Sequence, residues 1–427
     1  MKGGLVLPGK KEATSLEWKI KRPRTLGRVR IPLGESEGGP VRVCVAVGDA
    51  VRTGQKIGEP KTSGGVFVHA SVTGKVTAIS RFPHPVLEEM TMVEIVPDPA
   101  ENPIPGLGEE RKNWRNLRAG SFLEIFREAG LVDMDAASRP LHRLVSEYAE
   151  AGTGILILNA CESEPYLTSD YALTMSHPLD ILKGAEILRR VSGAEKVVMA
   201  TEDSKLELAE VLKSKIYFLK WKHFDVLALP SRYPQGHNSL LMGEVMERVS
   251  GSKTTAAVCN VATAFAVFEA VAMNKPLYER AVTVGGECVM EPKNLWLRIG
   301  SSFADAITAC RGFLREPGKL LMGGPMTGLA QTDKGVSVHK GTQGILALPP
   351  EAVKTGSQVS CIRCGRCIDV CPAGISPAMI GLAVDNGLRS LAKNRGAGLC
   401  VECGACSYVC PSKRPVMKLV RQAADKI

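Results

Sequence analysis

Eight of the thirteen cysteines fall in two copies of one pattern near the C-terminus, Cys361-x2-Cys364-x2-Cys367-x3-Cys371-Pro372 and Cys400-x2-Cys403-x2-Cys406-x3-Cys410-Pro411. This is the run that holds [4Fe-4S] clusters in bacterial ferredoxins. Three cysteines at two-residue gaps let a tight loop wrap three corners of a cubane core. Gly365 and Gly404 sit inside these loops, where the backbone must turn sharply. The fourth cysteine of each run reaches the other cluster, and Pro372 and Pro411 steer it across. The expected ligand sets are Cys361, Cys364, Cys367 and Cys410 for one cluster, and Cys400, Cys403, Cys406 and Cys371 for the other. A zinc site does not need the third and fourth cysteine at these offsets. Disulfide scaffolds belong to short secreted chains. The chemistry implied is one-electron transfer.

Twenty-eight residues separate Cys371 from Cys400. Within them the stretch 377–393 has helical apolar spacing, which predicts a helix between the two cluster loops. The other cysteines, Cys44, Cys161, Cys259, Cys288 and Cys310, are isolated in apolar surroundings and are expected to be buried free thiols.

A chain of 427 residues with 44 % hydrophobic content has room for two to four cored domains. Its longest apolar stretch, 254–273, is broken by Asn260 and Glu269 and is expected as a buried helix rather than a membrane span. With no secretory pattern at the start and oxygen-sensitive clusters, the expected location is the cytoplasm, or the cytoplasmic face of a membrane through other subunits. The formal charge is +10. Basic residues gather at Lys19, Lys21, Arg22, Arg24, Arg28 and Arg30, and again at Lys413, Arg414, Lys418 and Arg421. Without aromatic interleaving or a binding motif, no nucleic-acid role is expected. Docking of an acidic redox partner or an anionic membrane surface suits these groups better.

Residues 30–80, within an expected domain over 1–96, are rich in valine and glycine and lack helix periodicity. Two similar halves, 45–58 and 71–79, resemble a biotinyl/lipoyl-type barrel-sandwich. The hairpin tip, Ser63-Gly64-Gly65, carries no lysine and Lys61 lies off it, so a structural domain is expected rather than a cofactor carrier. Residues 97–118 read as a Pro- and Gly-rich linker. In 119–278, strands at 154–160, 196–201 and 224–229 alternate with helices at 178–191, 205–212 and 240–249, which predicts a parallel, Rossmann-like sheet. Residues 280–340, within an expected domain over 279–345, return to short strands and Gly-rich turns. Residues 346–427 form the helical ferredoxin-like unit. The expected fold is therefore multidomain α/β plus β.

The chain resembles the C subunit of the Rnf electron-transport complex over nearly its whole length. The resemblance rests on Gly3-Gly4, the stretch from Asn159-Ala160-Cys161-Glu162-Ser163-Glu164-Pro165 to Tyr171, Tyr233-Pro234-Gln235-Gly236 and Asn260-Val261-Ala262-Thr263. It continues through Arg298-Ile299-Gly300, Gly323-Gly324-Pro325-Met326-Thr327-Gly328 and the two cysteine runs. Cobalamin reductases and the flavin-binding subunit of respiratory complex I share the layout. The resemblance implies a Rossmann-like flavin domain, a β-grasp (SLBB-like) domain and then the clusters.

One stretch departs from that family. The family's glycine-rich loop, which cradles flavin mononucleotide (FMN) and admits NADH, is replaced here by 129–145. Asp133, Asp135, Ala136 and Ser138 stand at family glycine positions, Arg139 replaces an aromatic and Leu144 a lysine. A phosphate cradle needs backbone amides that approach closely. Side chains obstruct this, and each carboxylate at about 4 Å in an effective dielectric near 20 repels a unit negative charge by on the order of 4 kcal/mol. Asn159, Glu162, Glu164, Asn260 and Thr263 are therefore expected as vestiges of a flavin site, with Glu164 before Pro165 serving to cap and turn the chain. His142, His177 and His237 lack partners at ligand spacing, so no catalytic residues are assigned. The expected function is an electron-transfer subunit with two [4Fe-4S] clusters, relaying electrons between protein partners, with FMN not expected. The alternative is an FMN-dependent NADH oxidoreductase subunit with an atypical loop.

Overall fold

The computed structural model describes residues 3–15, 18–23, 27–34, 37–98, 100, 111, 113–135, 137–249, 254–353 and 356–424. Most of the expected linker, along with Arg24 and Ala136, lies outside the described residues. Among those described, the strands form four sheets.

Two of the sheets make the N-terminal sandwich. Val29–Pro32, Glu89–Pro97, Gly74–Pro83 and Ala50–Val51 pair antiparallel in that order, opposite Val41–Val43, Lys56–Pro60 and Val68–His69. Inward Ile31, Ile57, Val76, Val93 and Ile95 are buried, and they continue into one cluster with Val282, Leu297 and Phe303 of the β-grasp unit. The two units thus share a core. Gly300 is needed at their seam: its φ is +94°, and a Cβ there would lie 2.9 Å from the Arg30 carbonyl. The hairpin tip is held by His142 Nε2, 2.9 Å from the Ser63 carbonyl. Cys44 is exposed, not buried, because it follows a three-residue strand whose side chains reach solvent.

The α/β unit has four parallel strands, β1 (Thr153–Asn159), β2 (Lys196–Glu202), β3 (Phe224–Leu229) and β4 (Thr255–Asn260), in the order β3-β2-β1-β4. Residues 254–273 are therefore not one helix: β4 occupies the first part, and the helix Val261–Met273 begins only after Asn260. A strand buried on both faces reads as a continuous apolar run. The break is set by Asn260, whose side chain caps the helix by accepting from the Ala262 N–H at 2.6 Å. The helix expected at 205–212 runs on as Leu206–Leu219.

The helices Pro178–Ser192 and Val261–Met273 pack closely at Gly184, where a Cβ would sit 1.8 Å from the Ala264 carbonyl oxygen. Gly184→Val is expected to force the helices apart. The expected cost is about 1–3 kcal/mol, read as a lower apparent melting temperature.

The β-grasp unit is a five-stranded mixed sheet, ordered Lys293–Arg298, Glu279–Gly285, Gly344–Leu348, Lys319–Met322, Leu329–Gln331, with the helix Phe303–Ala309. At its edge Glu279 accepts both Arg22 Nη atoms at 2.6 and 2.9 Å and Lys275 Nζ at 2.8 Å. Burial alone would raise Glu279, but these cations hold its pKa down at about 2. Arg28 and Arg30 pair with Glu94. Arg22 thus ties the N-terminal segment to the β-grasp unit, while Arg28 and Arg30 pair within the sandwich.

In the C-terminal unit, Pro377–Asp385 and Arg389–Asn394 are separate helices. The single helix expected there is broken at Gly387, whose φ of +72° ends the first. The two cysteine runs fold alike. Arg363 and Glu402, Gly365 and Gly404, and Gly374 and Lys413 hold equivalent places and all have positive φ.

Candidate cluster sites and the switch-point cleft

Each cysteine run wraps a short helix, Arg366–Asp369 or Ala405–Tyr408, entered through its left-handed glycine. Cys361, Cys364, Cys367 and Cys410 line one cavity with Ile362, Pro377 and Leu419. Cys371, Cys400, Cys403 and Cys406 line a second with Ile375, Pro377 and Val420. Each cavity thus draws three cysteines from one run and the fourth from the other, and Pro377 borders both. Among the described residues, no three Cys, His, Asp or Glu side chains converge closely enough to hold a single ion. The four thiols of each set line an apolar void, a lining that suits a multi-atom iron–sulfur core.

The two cavities differ in depth. In the first, Cys364 is exposed and Ile362 beside it faces solvent. The second is covered by the rest of the chain. Tyr233 donates its hydroxyl to the Cys403 carbonyl at 2.5 Å, the Gly4 N–H donates to the Val370 carbonyl, and Leu5, Leu7 and Met326 pack around Cys403 and Ala405. Burial, followed by neighbouring thiols, pushes the Cys406 thiol up to about 12.

The strand order reverses between β1 and β4, and an open parallel sheet binds ligands at the carboxyl ends of the strands at such a point. Asn159 and Asn260 face each other there as register partners at the ends of β1 and β4. Asn159 donates to the Gly236 carbonyl at 2.8 Å and accepts from the Cys161 N–H. Asn260 caps its helix and donates to Asp170 at 2.7 Å. Glu162 accepts from the Asp170 and Tyr171 N–H groups at 2.9 and 3.0 Å, capping the helix Ser169–Ser176. Glu164 does not cap a turn. It reaches across to the β-grasp unit and accepts from Met326 N, Thr327 N and Thr327 Oγ1.

The substituted loop closes over this cleft. Asp133 is buried and accepts from Thr263 Oγ1 at 2.6 Å and from the Asn260 N–H. Its carboxylate therefore sits at the N-terminus of the helix Val261–Met273, where orphan amides and the helix dipole would favour a phosphate. Burial, then repulsion from Asp135, pushes Asp133 up to about 7 against these hydrogen bonds. Arg139 pairs with Glu37 and Glu147, and its charge offsets only part of the burial that raises Asp135.

Sequence reasoning missed several residues here. Lys205 lies 2.8 Å from Glu202 and 3.7 Å from Glu162. Lys11 donates to the Glu162 carbonyl. Arg280 is fully buried and donates to the Lys340 carbonyl. The contacts of Lys11 and Arg280, and that of Lys205 with Glu162, span long sequence separations, so no local pattern marks them. Asp133 takes up the helix N-terminus that would otherwise face a phosphate, and Asp135, Glu162, Asp170 and Glu202 add further carboxylates, set against Lys11, Lys205 and Arg280. Of the three histidines, His142 bonds the Ser63 carbonyl, His177 packs against Phe265 and His237 contacts Ser239.

Fold and cysteine geometry together define a multidomain iron–sulfur protein with the layout of a flavoprotein subunit. Family models match in that order: the RnfC barrel sandwich hybrid domain over residues 1–100, the Nuo51 FMN-binding domain over 126–269, the SLBB domain over 281–330 and the 4Fe-4S dicluster domain over 355–411. The chain belongs to the family of the C subunit of the Rnf ion-translocating oxidoreductase complex. It is 36 % identical over 371 residues to the C subunit of the proton-translocating ferredoxin:NAD(+) oxidoreductase complex of Clostridium ljungdahlii, covering 86 % of this chain and 80 % of the relative. It is 33 % identical to the Na(+)-translocating counterpart of Acetobacterium woodii, covering 89 % and 86 %. An NAD+-reducing [NiFe]-hydrogenase chain shares the fold, with a TM-score of 0.52 and 16 % identity over 75 % of this chain and 65 % of that one.

Proposed function

We propose that this chain is the electron-relaying C subunit of an Rnf-type complex, passing single electrons between protein partners through two [4Fe-4S] clusters without a flavin of its own. The observation that carries this reading is the Asp133 carboxylate seated at the helix N-terminus, beside two complete sets of four cysteines. In this reading Cys361, Cys364, Cys367 and Cys410 hold the outer cluster, and Cys371, Cys400, Cys403 and Cys406 the inner one. Bound clusters would supply reversible one-electron storage at each site. The packed cover over the inner cavity keeps water from it, Pro377 spans the wall common to both cavities, and Tyr233 fixes the inner loop. The names of the relatives point to a ferredoxin and an NAD+-handling assembly as the exchanging partners, with attachment to a membrane complex through other subunits. Among the described residues no helix is long and apolar enough to cross a membrane.

A second reading, an FMN-dependent NADH oxidoreductase subunit, is favoured by the match to the FMN-binding domain model and by Arg280 Nη2, which is buried without a partner among the described residues. Anaerobic reconstitution with iron and sulfide, followed by incubation with FMN and desalting, separates the two. The relay predicts about eight irons, broad absorption near about 400 nm, no retained flavin bands and no bleaching by NADH. Retained FMN with NADH-driven cluster reduction would replace it with the second reading.

A further inference from the structure

We infer that the surface around Tyr217 and Phe218 is a docking site for an anionic lipid bilayer, giving this chain a membrane contact of its own beyond its place in an electron relay. The helix Leu206–Leu219 buries Leu208, Ala209, Leu212 and Ile216 against the sheet edge. Its last turn faces outward, with Tyr217 87 % and Phe218 74 % exposed, the most exposed aromatic side chains among the described residues. Leu206 lies three turns earlier on the same stripe and is also exposed. Lys213, Lys215, Lys220 and Lys222 flank the rings in the sequence, and no carboxylate occurs between Val211 and His223. The pairs and ring contacts of the described residues include none of these four lysines. Lys220 ends the helix in the left-handed conformation. The chain then turns into Trp221, whose ring packs 4.9 Å from that of Phe224. The aromatic pair therefore stands on a fixed base rather than a loose loop.

Two neighbouring rings left in water carry a large apolar area, and the chemistry around them selects the occupant. Protein interfaces gather aromatics at their centre but are depleted in lysine, whereas here lysines interleave with the rings. Single-stranded nucleic acid is gripped by rings in a basic groove, whereas these project from a convex helix end. Aromatics at headgroup depth flanked by lysines suit the membrane–water interface. Each lysine near an anionic surface strengthens binding about 5-fold, so four contribute about two to three orders of magnitude.

The test is sedimentation of the full-length, cluster-loaded chain with phosphatidylcholine vesicles containing or lacking a quarter of phosphatidylglycerol. Binding is expected to the anionic vesicles only and to weaken in high salt. Tyr217→Ser with Phe218→Ser should weaken it at least 10-fold, and Lys→Gln at all four positions about 100-fold or more. Cluster absorption and melting temperature should not change in either variant. No binding to anionic vesicles, unchanged binding by both variants, or preferential retention on a single-stranded oligonucleotide each overturns the proposal. Variants that bind vesicles normally but no longer co-isolate with membrane subunits would make the patch a protein interface instead. None of these outcomes bears on the relay, which is read from the cluster spectra.

Discussion

Cys403→Ala is expected to empty the inner site and lower the iron content from about eight to about four per chain. A cubane held by only three thiolates has no protein ligand for its fourth corner, and the incompletely held cluster is expected to be lost as a unit. Cys403 lies within the surface where the C-terminal unit meets the rest of the chain: its carbonyl accepts from Tyr233, and Leu5, Leu7 and Met326 pack beside it. Where metal binding is coupled to folding, loss of the metal also loosens the structure around it. Cys403→Ala should therefore also expose the contact between Gly4 and Val370 to protease. Cys364→Ala, at an exposed position, should remove the same amount of iron with the rest of the chain unaffected. Cross-ligation adds a sharper requirement. Cys371→Ala should reproduce the spectrum of Cys403→Ala, and Cys410→Ala that of Cys364→Ala. If Cys371→Ala instead matched Cys364→Ala, each run would hold its own cluster and the assignment would fail.

Asp133→Asn is expected to stabilise the protein at pH 8 and to have much less effect at pH 5. Asp133 is pushed up to about 7 by burial and by Asp135, well above the ordinary aspartate value near 3.9. The folded state therefore holds this proton more tightly than the unfolded chain. The stability associated with it is present in full below about pH 4 and is lost as the pH rises through about 7. Asparagine keeps an oxygen for Thr263 and the Asn260 N–H while removing the charge. The gain at pH 8 should be on the order of 1–3 kcal/mol, smaller than the pKa difference alone implies because Asp135 titrates with it. Thermal melts from pH 4.5 to 8.5 measure it. A wild-type minus variant difference that stays flat over this range would show that Asp133 is ionised throughout. The same variant tests the cleft, since a neutral side chain removes one repulsion from the helix N-terminus.

Much of the α/β unit was legible in the sequence because apolar runs bounded by turns mark buried parallel strands. The strand Phe224–Leu229 is found at the residues that its pattern predicts. The run at 254–273 misleads for the same reason: β4 and the following helix are both wholly apolar, and only Asn260 separates them. Gly387 breaks a second expected helix through a left-handed φ that helical spacing does not reveal. The role of Glu164 was not legible, because its partners Met326 and Thr327 lie in another unit.

The cysteine spacing and the substituted loop could be read before any fold was known, because cluster loops and phosphate cradles are local structures built from consecutive residues. Tertiary structure alone decided three other things. It set the inner cavity under Tyr233 and left the outer one toward solvent. It seated Asp133 at a helix N-terminus far away in the sequence. It also left Tyr217 and Phe218 in water while Leu212 and Ile216 beside them were buried. Each depends on which surfaces meet when units pack, and residue order does not carry that information in any single stretch.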